Sequence, residues 1–232
     1  MKKFEDLQFM SIGCNCALIG CIKKEDRIKG PVDNVAIKSF NGFKLALENK
    51  IYDFVKTAKY TTRNKKPGEY RDGDCTVVTT FQDNTIEFLH NLPQGEKFLT
   101  EFKSRCNRLN NYLAAVNADP NKWLILSLSG CSVEFGTGRL YGETLKNILK
   151  YLQNRHLLHK TIIIGTKLNK SAYKVFNYFL TDTVKQNFEK ELNTKLNYLE
   201  IIDLDRDNLE PVRQQFKEKA INLINTLERT AK

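Results

Sequence analysis

The apolar positions in the second half of the chain predict strands and helices in alternation. Runs of consecutive apolar residues, rich in β-branched types, indicate buried strands, and stretches with apolar residues at helical spacing separate them. Because each pair of strands is separated by enough helix for a crossover, we expect a parallel sheet with helices on both faces. The predicted strands cover 123–129, 161–165 and 198–204, and the predicted helices cover 96–116, 143–158, 171–195 and a last segment with Pro211 in its first turn.

The first half of the chain has shorter elements. A buried strand at 7–12 is followed by a turn and a short apolar helix at 16–22. Residues 61–73 are polar and rich in helix breakers, so we expect an exposed loop there. The segments 75–81 and 85–89 predict a β-hairpin. The sequence therefore predicts one α/β domain over residues 1–232: a mostly parallel sheet flanked by helices, plus a β-hairpin in the first half.

Composition and charge narrow the class of protein. The 232 residues are 41% hydrophobic, which is enough for a core and excludes a disordered chain. No apolar run is long enough to cross a membrane, and the first residues lack the apolar region of a secretory signal, so we expect a soluble, cytoplasmic protein. The net charge is +10, but the basic residues are spread along the chain, which favours a partner other than nucleic acid.

The six cysteines are expected to be reduced thiols. A chain of this length without a signal peptide does not need disulfides for stability. Cys14, Cys16 and Cys21 follow a C-x-C-x4-C spacing, which is not a zinc-binding spacing. We expect no metal and no cofactor.

Polar side chains follow several of the predicted strands, and in parallel sheets ligands bind beyond these carboxyl ends. Cys16 begins a predicted helix, where unpaired N–H groups and the helix dipole stabilise a thiolate. Backbone N–H groups nearby, around Gly13 and Asn15, can receive an oxyanion. His90, at the end of the hairpin, is the candidate base, so the sequence predicts a Cys–His pair for nucleophilic catalysis. A carboxylate or an amide would orient the base, and Asp33, Asp203 and Asp205 are the candidates.

The same residue types also have structural explanations. Cysteine is among the most often buried residues, so Cys16 can instead belong to the core. Cys14 and Cys21 are expected to be packing residues. His156 and His159 lie near the end of a basic helix, and we expect them to face solvent or to complement the helix dipole.

A Gly-rich loop at 136–142 offers a second kind of site. Its flexible backbone at Gly138 and the side chain of Arg139 can hold a phosphate or a carboxylate. The residue order is not that of a P-loop, and an ordinary surface loop is the simpler explanation. The alternative function is therefore a non-catalytic α/β module that binds an anionic ligand such as a nucleotide or a sugar phosphate.

Three segments occur in the order and spacing of a known family. They are Ser11-Ile-Gly-Cys-Asn-Cys16, Pro31-Val32-Asp33-Asn34 and Phe88-Leu89-His90-Asn91, followed by the helix that contains Arg105. In these segments the chain resembles the papain-like cysteine peptidases of bacteria and large viruses. The resemblance covers residues 7–130, and it implies Cys16 as nucleophile and His90 as base. Val32 and Asn34 replace the Phe and Trp of the family pattern. Such a pair fits hydrolysis or transfer at a peptide, isopeptide, ester or amide bond.

Overall fold

Strands and helices alternate along the described chain. The structure, a computed structural model, describes residues 2–13, 30–31, 35–37, 40–57, 60–63, 75–78, 86–88, 96–128, 139–167, 179–202 and 210–230, with the backbone alone at 35–37, 60–63, 75–78, 86–88 and 139–142. The strands are β1 (Gln8–Gly13), β2 (Val35–Ile37), β3 (Tyr60–Arg63), β4 (Cys75–Val78), β5 (Ile86–Phe88), β6 (Lys122–Ser127), β7 (Thr161–Lys167) and β8 (Tyr198–Ile202). The helices are α1 (Phe40–Leu47), α2 (Ile51–Thr57), α3 (Glu96–Ala115), α4 (Arg139–Asn154), α5 (Asp182–Leu192) and α6 (Glu210–Thr230). None of these helices is long and apolar enough to cross a membrane.

A four-stranded parallel sheet organises the described chain. Its strand order is β1-β6-β7-β8, and every neighbouring pair is parallel. The prediction of an α/β fold with a parallel sheet is therefore confirmed, including the parallel arrangement of the three strands of the second half. The first strand of the chain joins them at one edge of the sheet.

Side chains on the two faces of the parallel sheet enter two separate cores, as the alternation of strand residues requires. Helices α1 to α5 cover one face, and α6 covers the other together with Phe4. The strand residues of the first core are Met10, Ile12, Leu124, Leu126 and Ile163. Those of the second core are Phe9, Trp123, Ile125, Ile162, Ile164, Leu199 and Ile201. Both faces are covered, so β1, β6 and β7 are buried along most of their length, whereas the edge strand β8 alternates buried with half-buried residues.

The first half of the chain contributes a second, antiparallel sheet with the order β2-β5-β4-β3. Strands β4 and β5 are consecutive and pair antiparallel, with Val77 opposite Glu87, while residues 79–85 between them lie outside the described residues. The expectation of a loop from residue 61 is wrong for its first residues, because Tyr60–Arg63 pairs with β4 as an edge strand. These four residues are too short and too polar to show a strand pattern, and only the pairing partner reveals them.

Two helix boundaries differ from the prediction. Helix α4 begins at Arg139, inside the predicted Gly-rich loop, because Tyr141 lies four residues before Leu145 and continues the helical spacing of apolar residues. Helix α5 begins at Asp182, and residues 179–181 are not helical. Thr181 is the N-cap of α5: its backbone is extended, and its side chain accepts a hydrogen bond from the Val184 N–H at 3.3 Å.

The hydroxyl of Tyr112 lies between strands β1 and β6. Tyr112 projects from α3 and is 3% exposed. Its hydroxyl donates to the Gln8 carbonyl at 2.6 Å and accepts from the Trp123 N–H at 3.0 Å. Burial is the largest effect on this hydroxyl and raises its pKa. The phenol therefore joins the first strand, the sixth strand and the helix between them.

We predict that Tyr112→Phe lowers the free energy of unfolding by about 1–3 kcal/mol, because it leaves a buried N–H and a carbonyl without this partner. Urea denaturation followed by circular dichroism measures the change. Tyr52→Phe is the matched control, since it keeps the half-buried ring that lies under the Lys103 ammonium. Equal losses in the two variants would contradict the role given to Tyr112.

Gly165 gives Tyr198 its place on the sheet. A Cβ at Gly165 would overlap the Tyr198 hydroxyl and lie 2.9 Å from Cζ, so the phenol occupies the space that a side chain would need. The Tyr198 hydroxyl accepts a hydrogen bond from the Leu180 N–H at 2.9 Å. Tyr198 is on β8 and Gly165 is on β7. The hydrogen bond from Leu180 therefore attaches the segment before α5 to these two strands.

Candidate functional site

The four parallel strands end at one edge of the sheet, which we call the carboxyl edge. Their last residues are Gly13, Ser127, Lys167 and Ile202. Along this sheet the strand order never reverses, so the crevice that forms at a reversal of strand order is absent among the described strands. Strand β1 is in contact with β2 of the antiparallel sheet, so the two sheets are neighbours in the structure.

Most of the predicted site residues fall in segments that the structure does not describe. Gly13 is the last residue of β1, and Arg139 is the first residue of α4. Cys16, Asn15, Asp33, His90, Gly138, Asp203 and Asp205 lie outside the described residues. The site can therefore be built only from the described residues that flank them.

A β-bulge closes β1 three residues before Cys16. Ser11 lies opposite Ile125 and Gly13 opposite Leu126, so Ile12 is an extra residue in the pairing. A Cβ at Gly13 would lie 2.7 Å from Leu126 Cδ1 in the buried core, so any other residue there would require the Leu126 side chain to shift. The Ser11 hydroxyl donates to the Gly13 carbonyl at 3.0 Å. Bulges of this kind bend a strand and redirect the residues that follow, and they are common beside active sites.

The segment Gly30–Pro31 lies against the last part of β1. Both residues are buried. A Cβ at Gly30 would be 3.5 Å from the Ser11 carbonyl oxygen and 3.7 Å from Met10 Cγ, which is ordinary contact distance. This contact holds the chain beside β1 three residues before Asp33.

The pairing of β2 with β5 brings together the chain segments next to Asp33 and His90. Val35 lies directly opposite Phe88 in this antiparallel pair. Asp33 is two residues before Val35, and His90 is two residues after Phe88. Asp33 and His90 are thus each two residues away from the same pair of opposed residues, Val35 and Phe88.

Arg139 lies in a different setting from the predicted loop. The segment 139–142 forms the first turn of α4, so Arg139 begins a helix rather than standing in an open Gly-rich loop. Helix α4 follows β6 and packs on the α1-to-α5 face of the sheet. Along the chain, Arg139 therefore comes after the carboxyl end of β6.

Two of the three histidines are at the opposite edge of the parallel sheet. His156 follows the end of α4 with a positive φ of 55°, and His159 lies in a short 3-10 helix before β7. Both are exposed, as predicted. The pKa of His159 is lowered by partial burial and by the Lys160 ammonium. Strand β7 has seven residues, so these imidazoles are separated from the carboxyl edge by a strand of roughly 20 Å.

Three buried hydroxyls on neighbouring strands are not among the predicted site residues. Ser11, Ser127 and Thr166 lie in β1, β6 and β7, and each is at most 1% exposed. They occupy the alternate strand positions whose side chains belong to the second core, and they lie near the carboxyl edge. A polar residue at an inward position of an otherwise apolar strand is the signal that could have found them.

The described residues hold no group of three or more His, Cys, Asp or Glu side chains able to bind a metal ion. Cys106 is the cysteine whose side chain is described there, and it is 2% exposed in the first core. Burial raises the pKa of the Cys106 thiol to about 12. It is therefore a packing residue, because a thiol of this kind gives almost no thiolate near neutral pH.

No protein-family model matches this chain, and no curated protein matches it.

We predict that Cys106 does not react with iodoacetamide at pH 8 in the folded protein and reacts only after denaturation. Its thiol stays protonated until the pH approaches about 12. For the same reason its contribution to stability is fully present below pH 9.0 and is lost as the pH rises toward about 12. Peptide mapping by mass spectrometry measures the labelling. Modification of Cys106 under native conditions at the rate of an exposed thiol would contradict this assignment.

Proposed function

We propose that the protein is a cysteine-dependent hydrolase or acyltransferase in which Cys16 is the nucleophile and His90 the base. Asp33 is the group that orients the imidazole. The observation that carries the proposal is the direct pairing of Val35 with Phe88 in a small sheet whose edge strand contacts β1. It supports a common site because Asp33 and His90 are each two residues from this pairing and Cys16 is three residues beyond the end of β1.

The length of the chain limits how far apart these residues can be. An extended residue spans at most about 3.5 Å, so Cys16 lies within about 11 Å of Gly13, and Asp33 and His90 lie within about 7 Å of Val35 and Phe88. Paired strands are about 5 Å apart. If the β2–β5 register continues for two residues, Asp33 stands opposite His90, as an orienting carboxylate would.

The distribution of histidines supports His90 as the base. A Cys–His mechanism at the carboxyl edge needs an imidazole there, and His156 and His159 are at the other edge of the sheet. The chain has three histidines. His90 is therefore the histidine that such a site would use.

The proposed reaction is acyl transfer through a thioester. The Cys16 thiolate attacks the carbonyl carbon of the substrate, and the carbonyl electrons move to oxygen, where backbone N–H groups around Gly13 and Asn15 stabilise the charge. The tetrahedral intermediate collapses to a thioester as the bond to the leaving nitrogen or oxygen breaks, and the His90 imidazolium protonates that atom. His90 then removes a proton from water or from an acceptor nucleophile, which attacks the thioester and regenerates the thiolate.

The resemblance to papain-like cysteine peptidases supports the same pair of residues and makes a peptide or isopeptide bond the first substrate to test. An ester or another amide fits the same chemistry. The reaction needs no cofactor and needs Cys16 reduced, which agrees with a cytoplasmic protein.

We predict that Cys16 reacts with iodoacetamide at pH 6.5 faster than Cys14 and Cys106, and that His90→Ala slows this reaction. An ordinary thiol with a pKa of about 8.5 is only about 1% thiolate at this pH. A helix N-terminus and an imidazolium lower a thiol pKa to about 3.5–7.5 and raise that fraction about ninefold or more. Peptide mapping after timed labelling gives the rate at each cysteine, and His156→Ala is the matched control.

Equal labelling of Cys14 and Cys16, or the same rate after His90→Ala, would show that Cys16 has a packing role instead.

The alternative function would then be the one to test: a module that binds an anion at Arg139. In that case inorganic phosphate should raise the melting temperature, and Arg139→Ala should abolish the increase without changing the melting temperature of the free protein.

A further inference from the structure

Strand β8 is at the outer edge of the parallel sheet, so part of its backbone faces away from β7. The Ile163 N–H donates to the Asn197 carbonyl at 2.8 Å, which fixes the alternation of the ladder. The backbone N–H and carbonyl groups of residues 199 and 201 consequently point toward β7. Those of Tyr198, Glu200 and Ile202 point away from β7, and outward backbone groups of an edge strand can pair with another chain.

Two side chains of α6 bind these outward groups. The Gln215 amide accepts from the Ile202 N–H at 2.8 Å and donates to the Ile202 carbonyl at 3.0 Å. The Lys219 ammonium donates to the Glu200 carbonyl at 2.5 Å and to Gln215 Oε1 at 3.1 Å. One amide thus makes both hydrogen bonds that a residue of a neighbouring strand would make.

We propose that Gln215 and Lys219 act as a side-chain substitute for a fifth strand and keep the β8 edge closed to a second copy of this chain. The outward N–H and carbonyl of Ile202 are used by Gln215, and the ammonium of Lys219 holds that amide in place. A second β8 can pair only after these contacts are lost.

The sequence of β8 points to a second copy as the partner that must be excluded. Two β8 strands in antiparallel register centred on Glu200 place each Tyr198 opposite the Ile202 of the other copy. The Tyr198 N–H already donates to the Leu196 carbonyl at 2.9 Å, so the pairing would rest on the outward groups of Glu200 and Ile202. Aromatic and β-branched residues are favourable cross-strand partners. The two Glu200 carboxylates would then be directly opposite, and this repulsion is a further barrier to pairing.

The test removes both contacts with unbranched apolar side chains in the full chain. In Gln215→Met/Lys219→Met, we expect the Ile202 amide to exchange with solvent about tenfold faster and the protein to self-associate with rising concentration. Hydrogen exchange by NMR and sedimentation velocity measure the two effects. The control is Gln214→Met/Arg229→Met, which loses the same charge from exposed positions of the same helix.

A third substitution shows whether association uses β8. Glu200→Pro removes an outward N–H that β7 does not use, so it should be tolerated at an edge and should abolish the association. If the double variant fails to fold, the same two measurements are made on Gln215→Met alone. The proposal is overturned if the variant associates no more than the control, or if the association survives Glu200→Pro.

Discussion

The parallel pairing of β1 with β6 is the constraint on which the rest of the structure depends. It joins residues 8–13 to residues 122–127, so the chain between them must leave the parallel sheet and return to the adjacent strand. That intervening chain contains α1, α2, α3 and the whole antiparallel sheet. Tyr112 stabilises the junction because its hydroxyl bonds to both strands while its ring belongs to α3.

This arrangement separates the parts of the protein that provide stability from the part where chemistry is proposed. The connections at the amino edge of the sheet are short and well bonded: the Lys160 ammonium, for example, donates to the Asp119 carbonyl at 3.1 Å and lies over the Trp123 ring. At the carboxyl edge, β1 ends in a bulge with Gly30 beside Ser11, and β1 also contacts β2 of the second sheet. Cys16 is three residues beyond Gly13, Asp33 is three residues beyond Gly30, and His90 is two residues beyond Phe88, which pairs with β2.

The sequence predicts the parallel strands well because both faces of the sheet are buried and each strand is mostly apolar, as in Trp123 to Leu126. Helices α3 and α6 are equally clear from their spacing. Strand β3 was missed since Tyr60-Thr-Thr-Arg63 is short and polar, and the start of α4 was missed because two glycines lie near it. The bulge at Ile12 and the pairing of Val35 with Phe88 depend on contacts between distant residues, which no local pattern contains.

A titration of the three histidines by NMR tests the Cys16–His90 pair most directly. If the imidazole of His90 faces the Cys16 thiolate, the negative charge raises its pKa above the ordinary value of about 6.5, and Cys16→Ser brings it back down. His159 lies at the other edge of the sheet and should titrate identically in the two proteins. A His90 titration that Cys16→Ser leaves unchanged would contradict the account.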